Sequence, residues 1–183
     1  MRFIIMDDNM ADFVSIKNSL VKSEISESSM VYYVGTEGNL ENTKKRGTEF
    51  IRFKFTDRRF ITNLTNQLAT DDVVLLDLAL SQEERYAFEE IGKNYIKEKD
   101  YSGELIYTPK ILAEILAKTE EDGLNIKIII ISSVHGPKNE DDLKLFLSQE
   151  FRDRPNVKFM RTNDILNLLL SPASREKFQT IIA

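Results

Sequence analysis

The chain has 183 residues, 42 % of them hydrophobic and 30 % charged, which suits one packed domain spanning residues 1–183 and excludes disorder as a class. Its net charge of −5, from 30 acidic and 25 basic residues, argues against bulk affinity for nucleic acid. Cysteine is absent, which excludes disulfides, thiolate metal sites and cysteine nucleophiles, and the single histidine, His135, leaves little room for a histidine-rich metal site.

In chain order, residues 2–6 are apolar apart from Arg2 and read as a buried strand. Ala11 to Ile25 places Phe13, Ile16, Leu20 and Val21 at helical spacing. Met30 to Val34 is a second strand, closed by Gly35, and residues 60–70 are helical, with Phe60, Ile61, Leu64 and Leu68 on one stripe. Val73 to Asp77 is a third strand. Residues 81–97 read as a helix with Phe88, Ile91, Tyr95 and Ile96 as its apolar positions. Thr108-Pro109 pairs an N-cap with a proline at the first helical position, and the helix it opens stops near Gly123. Lys127 to Ile131 is a fourth strand, residues 139–151 a helix, and Val157 to Met160 a fifth strand. Asn163 to Leu170 is helical, and Ser171-Pro172 breaks it before a last short helix. Strands alternating with helices imply βαβ crossovers and a parallel sheet.

Three of these strands end abruptly in oxygen-bearing side chains. Asp7 and Asp8 follow the first, Asp77 ends the third, and Ser132-Ser133 ends the fourth. In an open parallel α/β sheet, chemistry sits at the carboxyl ends of the strands. Close carboxylates repel one another unless a cation intervenes. Mg²⁺ prefers such hard oxygen ligands, and it neutralises charge that develops in phosphoryl transfer. A carboxylate there can also act as a nucleophile and become an acyl phosphate. Taken alone, Asp7 and Asp8 read equally well as caps of the next helix, and Ser132 and Ser133 as hydroxyls satisfying backbone groups. In this order with Asp77, they read as one site. His135 reads as a solvated loop histidine rather than a phosphocarrier.

Met6-Asp7-Asp8-Asn9, Val73-Val74-Leu75-Leu76-Asp77-Leu78 and Ile129-Ile130-Ile131-Ser132-Ser133 resemble, in order, three motifs of the response-regulator receiver domains of two-component signalling. These are the acidic pair, the strand bearing the phospho-accepting aspartate, and the strand ending in Ser/Thr and a small residue. The resemblance implies a flavodoxin-like fold, with a five-stranded parallel sheet of order 2-1-3-4-5 and helices on both faces. It implies Asp77 as phosphoacceptor, and Mg²⁺ held by Asp7, Asp8, Asp77 and the backbone carbonyl of Ala79. It also implies Ser132 as the switch hydroxyl.

The sequence departs from that family in three places. The family's Lys-Pro at the end of the fifth strand has no counterpart, and both Lys158 and Arg161 are candidates for the phosphate-facing cation. Arg161 follows the apolar run, whereas Lys158 keeps the family's spacing to the last helix, at Ile165 and Leu169. There are also insertions after the second and third strands, around residues 36–59 and 80–108. In the first of these, Lys44, Lys45, Arg46, Arg52, Lys54, Arg58 and Arg59 are interleaved with Phe50, Phe53 and Phe55. The period-two run Ile51-Arg52-Phe53-Lys54-Phe55 favours an added strand or hairpin with a charged edge over a nucleic-acid or acidic-protein surface.

The expected function is therefore a stand-alone receiver-like domain, more a phosphoacceptor than an enzyme. A histidine kinase or phosphotransfer protein would phosphorylate it, and its output would be contact with a downstream protein or a second copy. The alternatives are a phosphorylation-independent pseudo-receiver acting as an interaction or dimerisation module, and a Mg²⁺-dependent hydrolase. No apolar run approaches the roughly 20 residues of a membrane span, and the amino terminus reaches Asp7 too soon for a signal peptide. The expected location is the cytoplasm.

Overall fold

A computed structural model describes residues 1–35, 41–45, 47–53, 59–78, 108–132, 153–168 and 170–183. The expected helices at 81–97 and 139–151 lie outside them, as do Ala79, Ser133 and His135. The described strands are β1 (Phe3–Met6), β2 (Met30–Gly35), β3 (Glu41–Lys45), β4 (Thr48–Phe53), β5 (Val73–Asp77), β6 (Lys127–Ser132) and β7 (Val157–Arg161). The helices are α1 (Met10–Lys22), α2 (Arg59–Gln67), α3 (Thr108–Asp122), α4 (Thr162–Leu166) and α5 (Pro172–Ile182), with a 3₁₀ turn at Glu27–Ser29.

The strands form one seven-stranded sheet in the order β3-β4-β2-β1-β5-β6-β7. Every pairing is parallel except β3 with β4. This corrects the five-stranded expectation. The strands anticipated in the order 2-1-3-4-5 are β2, β1, β5, β6 and β7, and they lie side by side in that order. The basic Phe-containing stretch then extends the sheet beyond β2. The six parallel strands, numbered along the chain, run 3-2-1-4-5-6, and β3 closes the edge antiparallel. The added hairpin turns at Gly47, whose φ of 89° lies in the left-handed region that glycine tolerates.

Side chains alternate across the sheet with period two. Ile4, Met6, Val31, Tyr33, Ile51, Val74, Leu76, Ile128, Ile130 and Phe159 pack on one face, against Phe60 and Leu64 of α2 and Ile111, Leu112 and Ile115 of α3. Phe3, Ile5, Tyr32, Val34, Leu75, Ile129, Ile131 and Met160 pack on the other, against Phe13, Ile16 and Leu20 of α1, Ile165 of α4 and Phe178 of α5. Burial on both faces explains why the central strands read as unbroken apolar runs. α3 ends at Gly123, φ 64°, where the Leu124 N–H donates to the Thr119 carbonyl at 3.0 Å. This is the glycine stop expected from the sequence. Among the described residues no helix is long and apolar enough to cross a membrane.

Chain order reverses between β1 and β5: from β1 the chain moves outward to β2 and β4, then returns through α2 to β5 and continues to β6 and β7. A reversal of this kind opens a crevice at the carboxyl ends of the two central strands, where α/β sheets place their ligands. The opposite, amino-terminal edge is closed by an ion pair. Arg2 Nη2 and Nε donate to the two carboxylate oxygens of Asp72 at 2.7 and 3.1 Å.

Candidate metal and phosphoryl site

Asp7 directly follows β1 and Asp77 is the last residue of β5, so the two stand on either side of the reversal. Met6 and Leu76 are register partners, and each aspartate is the next residue along the chain. Asp8 lies one residue further on, at the start of the turn into α1. One carboxylate oxygen from each of Asp7, Asp8 and Asp77 can be chosen so that all three lie within 4.8 Å of one another. Asp7 and Asp77 are buried, at 2 and 3 % exposure, and Asp8 is half-buried. The three carboxylates anticipated from separate parts of the sequence therefore converge.

Helix capping does not account for the acidic pair. Asn9 is the N-cap of α1, and its Oδ1 accepts from the Ala11 N–H at 2.9 Å, while its Nδ2 donates to Asp12 Oδ2 at 3.1 Å. Asp7 sits two residues before that cap. Its Oδ1 accepts from the Asn9 N–H at 2.7 Å, which tightens the turn and fixes the carboxylate's orientation.

The oxygen set fits a small hard cation. Ligand oxygens around one octahedral Mg²⁺ at about 2.1 Å stand roughly 3–4 Å apart, and the ion usually keeps several waters. A triad spread over 4.8 Å reaches that geometry with a small side-chain adjustment or through a bound water. Asp7, Asp8 and Asp77 are the residues that could hold it. The carbonyl of Ala79, the fourth expected ligand, lies outside the described residues.

Ser132 ends β6 and is buried, at 4 % exposure. Its predecessor Ile131 is the register partner of Asp77, so the hydroxyl stands at the same carboxyl edge, one strand over. Ser132 is in turn the register partner of Arg161, the half-buried last residue of β7. Lys158 pairs with Ile129, in the middle of the strand, and is exposed. At about 3.3 Å per residue it stands roughly 10 Å back from the edge. Of the two candidate cations, Arg161 is therefore the one at the level of the site.

One residue beside the site escapes a sequence-level reading. The Tyr32 hydroxyl donates to the backbone carbonyl of Asp7 at 3.0 Å. Burial pushes the Tyr32 phenol well above its usual range, and the negative charges of Asp7, Asp8, Asp12 and Asp77 push it the same way. The signal was present in the Tyr32-Tyr33 pair inside a buried strand, because a buried phenol needs a partner for its hydroxyl. What that partner is depends on the fold. No protein-family model matches the chain, and comparison with curated proteins finds no match.

Proposed function

We propose that this chain is a receiver-like signalling domain that accepts a phosphoryl group on Asp77 with the help of Mg²⁺. The observation that carries this reading is the convergence of Asp7, Asp8 and Asp77 within 4.8 Å at the reversal of the sheet, with Ser132 on the next strand. The Asp77 carboxylate attacks the phosphorus of a phosphohistidine or a small acyl phosphate. The new bond is the aspartyl O–P bond, and the donor's N–P or O–P bond breaks, its electrons leaving with the imidazole or carboxylate. Bound Mg²⁺ supplies charge neutralisation for the transferring group. Asp7 and Asp8 hold that charge in place, Ser132 offers a hydroxyl to a phosphoryl oxygen, and Arg161 offers a cation at the same level. The phosphorylated aspartate carries roughly two negative charges where the carboxylate carried one, and this local change biases a surface that a partner protein reads. The donor in this reading is a histidine kinase or phosphotransfer protein. The domain performs no turnover beyond its own phosphorylation and dephosphorylation.

A second reading is supported by the residue paired with Ser132. It is an arginine, whose broad planar fork does not replace the compact ammonium of a lysine at a tight phosphate site. A pseudo-receiver that binds partners without phosphorylation would tolerate that change. Incubation with Mg²⁺ and acetyl phosphate or phosphoramidate, followed by intact mass measurement, separates the two. Gain of one phosphoryl group, abolished by Asp77→Asn, is the expected result. No gain, together with no response to beryllofluoride, favours the pseudo-receiver. Steady release of product from a phosphate ester would instead indicate a Mg²⁺-dependent hydrolase.

A further inference from the structure

Past the last ladder pair of β1, Met6 with Tyr33, the chain must turn while keeping Asp7 and Asp8 aimed at the crevice. The Asp7 N–H reaches the Tyr33 carbonyl at 3.3 Å, a long final rung of the ladder. Its carbonyl is met by the Tyr32 hydroxyl at 3.0 Å. That carbonyl belongs to the peptide joining Asp7 to Asp8, so holding this one plane restrains the backbone from which both carboxylates project.

The Tyr32 ring is itself held on two sides. It stacks on Phe13 of α1, with ring centroids 3.7 Å apart and planes 3° from parallel. Phe50 of β4 meets it edge-on, with centroids 5.9 Å apart at 79°, and meets Phe13 in the same way at 5.6 Å and 77°. Tyr32 and Phe50 are register partners. A ring fixed by two others delivers its hydroxyl to one place. Fixed partners one step beyond the ligands are what orient a metal's own ligands.

We propose that Tyr32 is a positioning residue for the acidic site, and that strand β4 of the added hairpin serves the site by clamping the Tyr32 ring through Phe50. This role rests on the Mg²⁺ reading of Asp7, Asp8 and Asp77. The extension of the sheet beyond β2 is, on this view, part of the site's support.

The neighbouring tyrosine is a matched control. Tyr33 is equally buried, and its hydroxyl donates to Asn63 Oδ1 at 2.9 Å, on the opposite face of the sheet. Mg²⁺ affinity is measured by calorimetry on the wild type, Tyr32→Phe and Tyr33→Phe, with unfolding curves for all three. Tyr32→Phe weakens Mg²⁺ binding by about tenfold, the low end of the range for removing a partner that orients a metal ligand. Tyr33→Phe loses comparable stability and binds Mg²⁺ within about twofold of the wild type, as expected for a hydrogen bond that serves only the fold. Equal weakening in both variants, or in neither, overturns the positioning role and leaves the metal reading intact. A wild type that takes up no Mg²⁺ overturns the metal reading and this role with it. Should Tyr32→Phe not fold, Phe50→Leu keeps the hydroxyl and loosens the ring: weaker Mg²⁺ binding supports the role, and wild-type binding overturns it.

Discussion

Ser132 and Arg161 are register partners at the carboxyl ends of β6 and β7, which places a hydroxyl and a guanidinium on adjacent strands at one edge of the sheet. If that edge receives a phosphoryl group, Arg161→Ala lowers the rate of phosphorylation by acetyl phosphate about tenfold or more, the size expected for a lost charge-assisted hydrogen bond. Lys158→Ala, three residues back and exposed, leaves the rate within about twofold, as for an ordinary surface charge. A larger effect at Lys158 than at Arg161 would show that spacing to the last helix, and not strand register, identifies the cation.

The strands that carry the site were legible because each is buried on both faces and bounded by a polar residue at its carboxyl end. Their relative order also survives in the sheet. What escaped is what only pairing can decide. Glu41 to Lys45 has no hydrophobic periodicity, and its strand state comes from its ladder with β4. Three polar residues in a row, Asp7, Asp8 and Asn9, all suit a cap, and only the backbone selects Asn9. Lys158 and Arg161 are equally good cations in sequence, and they separate only when β7 is set in register against β6.

At the opposite edge, Arg2 grips Asp72 through both carboxylate oxygens, and the Ala69 N–H donates to Asp72 Oδ2 at 2.9 Å. The Asp72 side chain is 2 % exposed and the Arg2 side chain 36 %, so the pair lies between a surface bridge and a buried one. Arg2→Ala leaves a buried carboxylate short of its main partner and costs about 2–3 kcal/mol, below the full buried-pair penalty because Arg2 is partly in water. Arg2→Lys recovers only part of this, since an ammonium cannot make the two-point contact. Urea unfolding at constant slope measures it, and Mg²⁺ affinity stays at the wild-type value because the pair is at the far end of β1 from Asp7. A change in Mg²⁺ affinity would show that the two edges are coupled.

Alkaline pH tests the buried phenols. Burial, the leading cause for each, raises both Tyr32 and Tyr33 above the ordinary value of 10.0. A group whose folded value is raised contributes stability that is complete below its unfolded value and is lost as pH rises towards the folded one. Stability is therefore insensitive to these two residues up to about pH 10, then falls by about 1.4 kcal/mol per pH unit for each of them. Tyr33→Phe removes one contribution and makes the decline shallower. Denaturation midpoints between about pH 8 and pH 11 provide the measurement. Equal slopes for wild type and variant would mean that Tyr33 ionises in the folded protein as readily as in the unfolded chain.

Three carboxylates with oxygens within 4.8 Å of one another make the metal-free site a place of stored repulsion. Like charges so close disfavour each other's ionised forms, and removing one relieves the others. Asp8 is the member to change, because it is half-buried and the turn-closing bond to the Asn9 N–H belongs to Asp7. Asp8→Asn keeps the shape and removes the charge. Without Mg²⁺, the variant melts about 2–4 °C above the wild type, the shift that roughly 1 kcal/mol produces in a chain of this size. With Mg²⁺ the order reverses, because the wild type gains stability logarithmically as free Mg²⁺ rises above its dissociation constant and the variant, having lost a ligand charge, gains much less. The crossing of the two melting temperatures as Mg²⁺ is added is the diagnostic. A variant that is less stable in both conditions would assign Asp8 a structural partnership in place of a metal-binding charge.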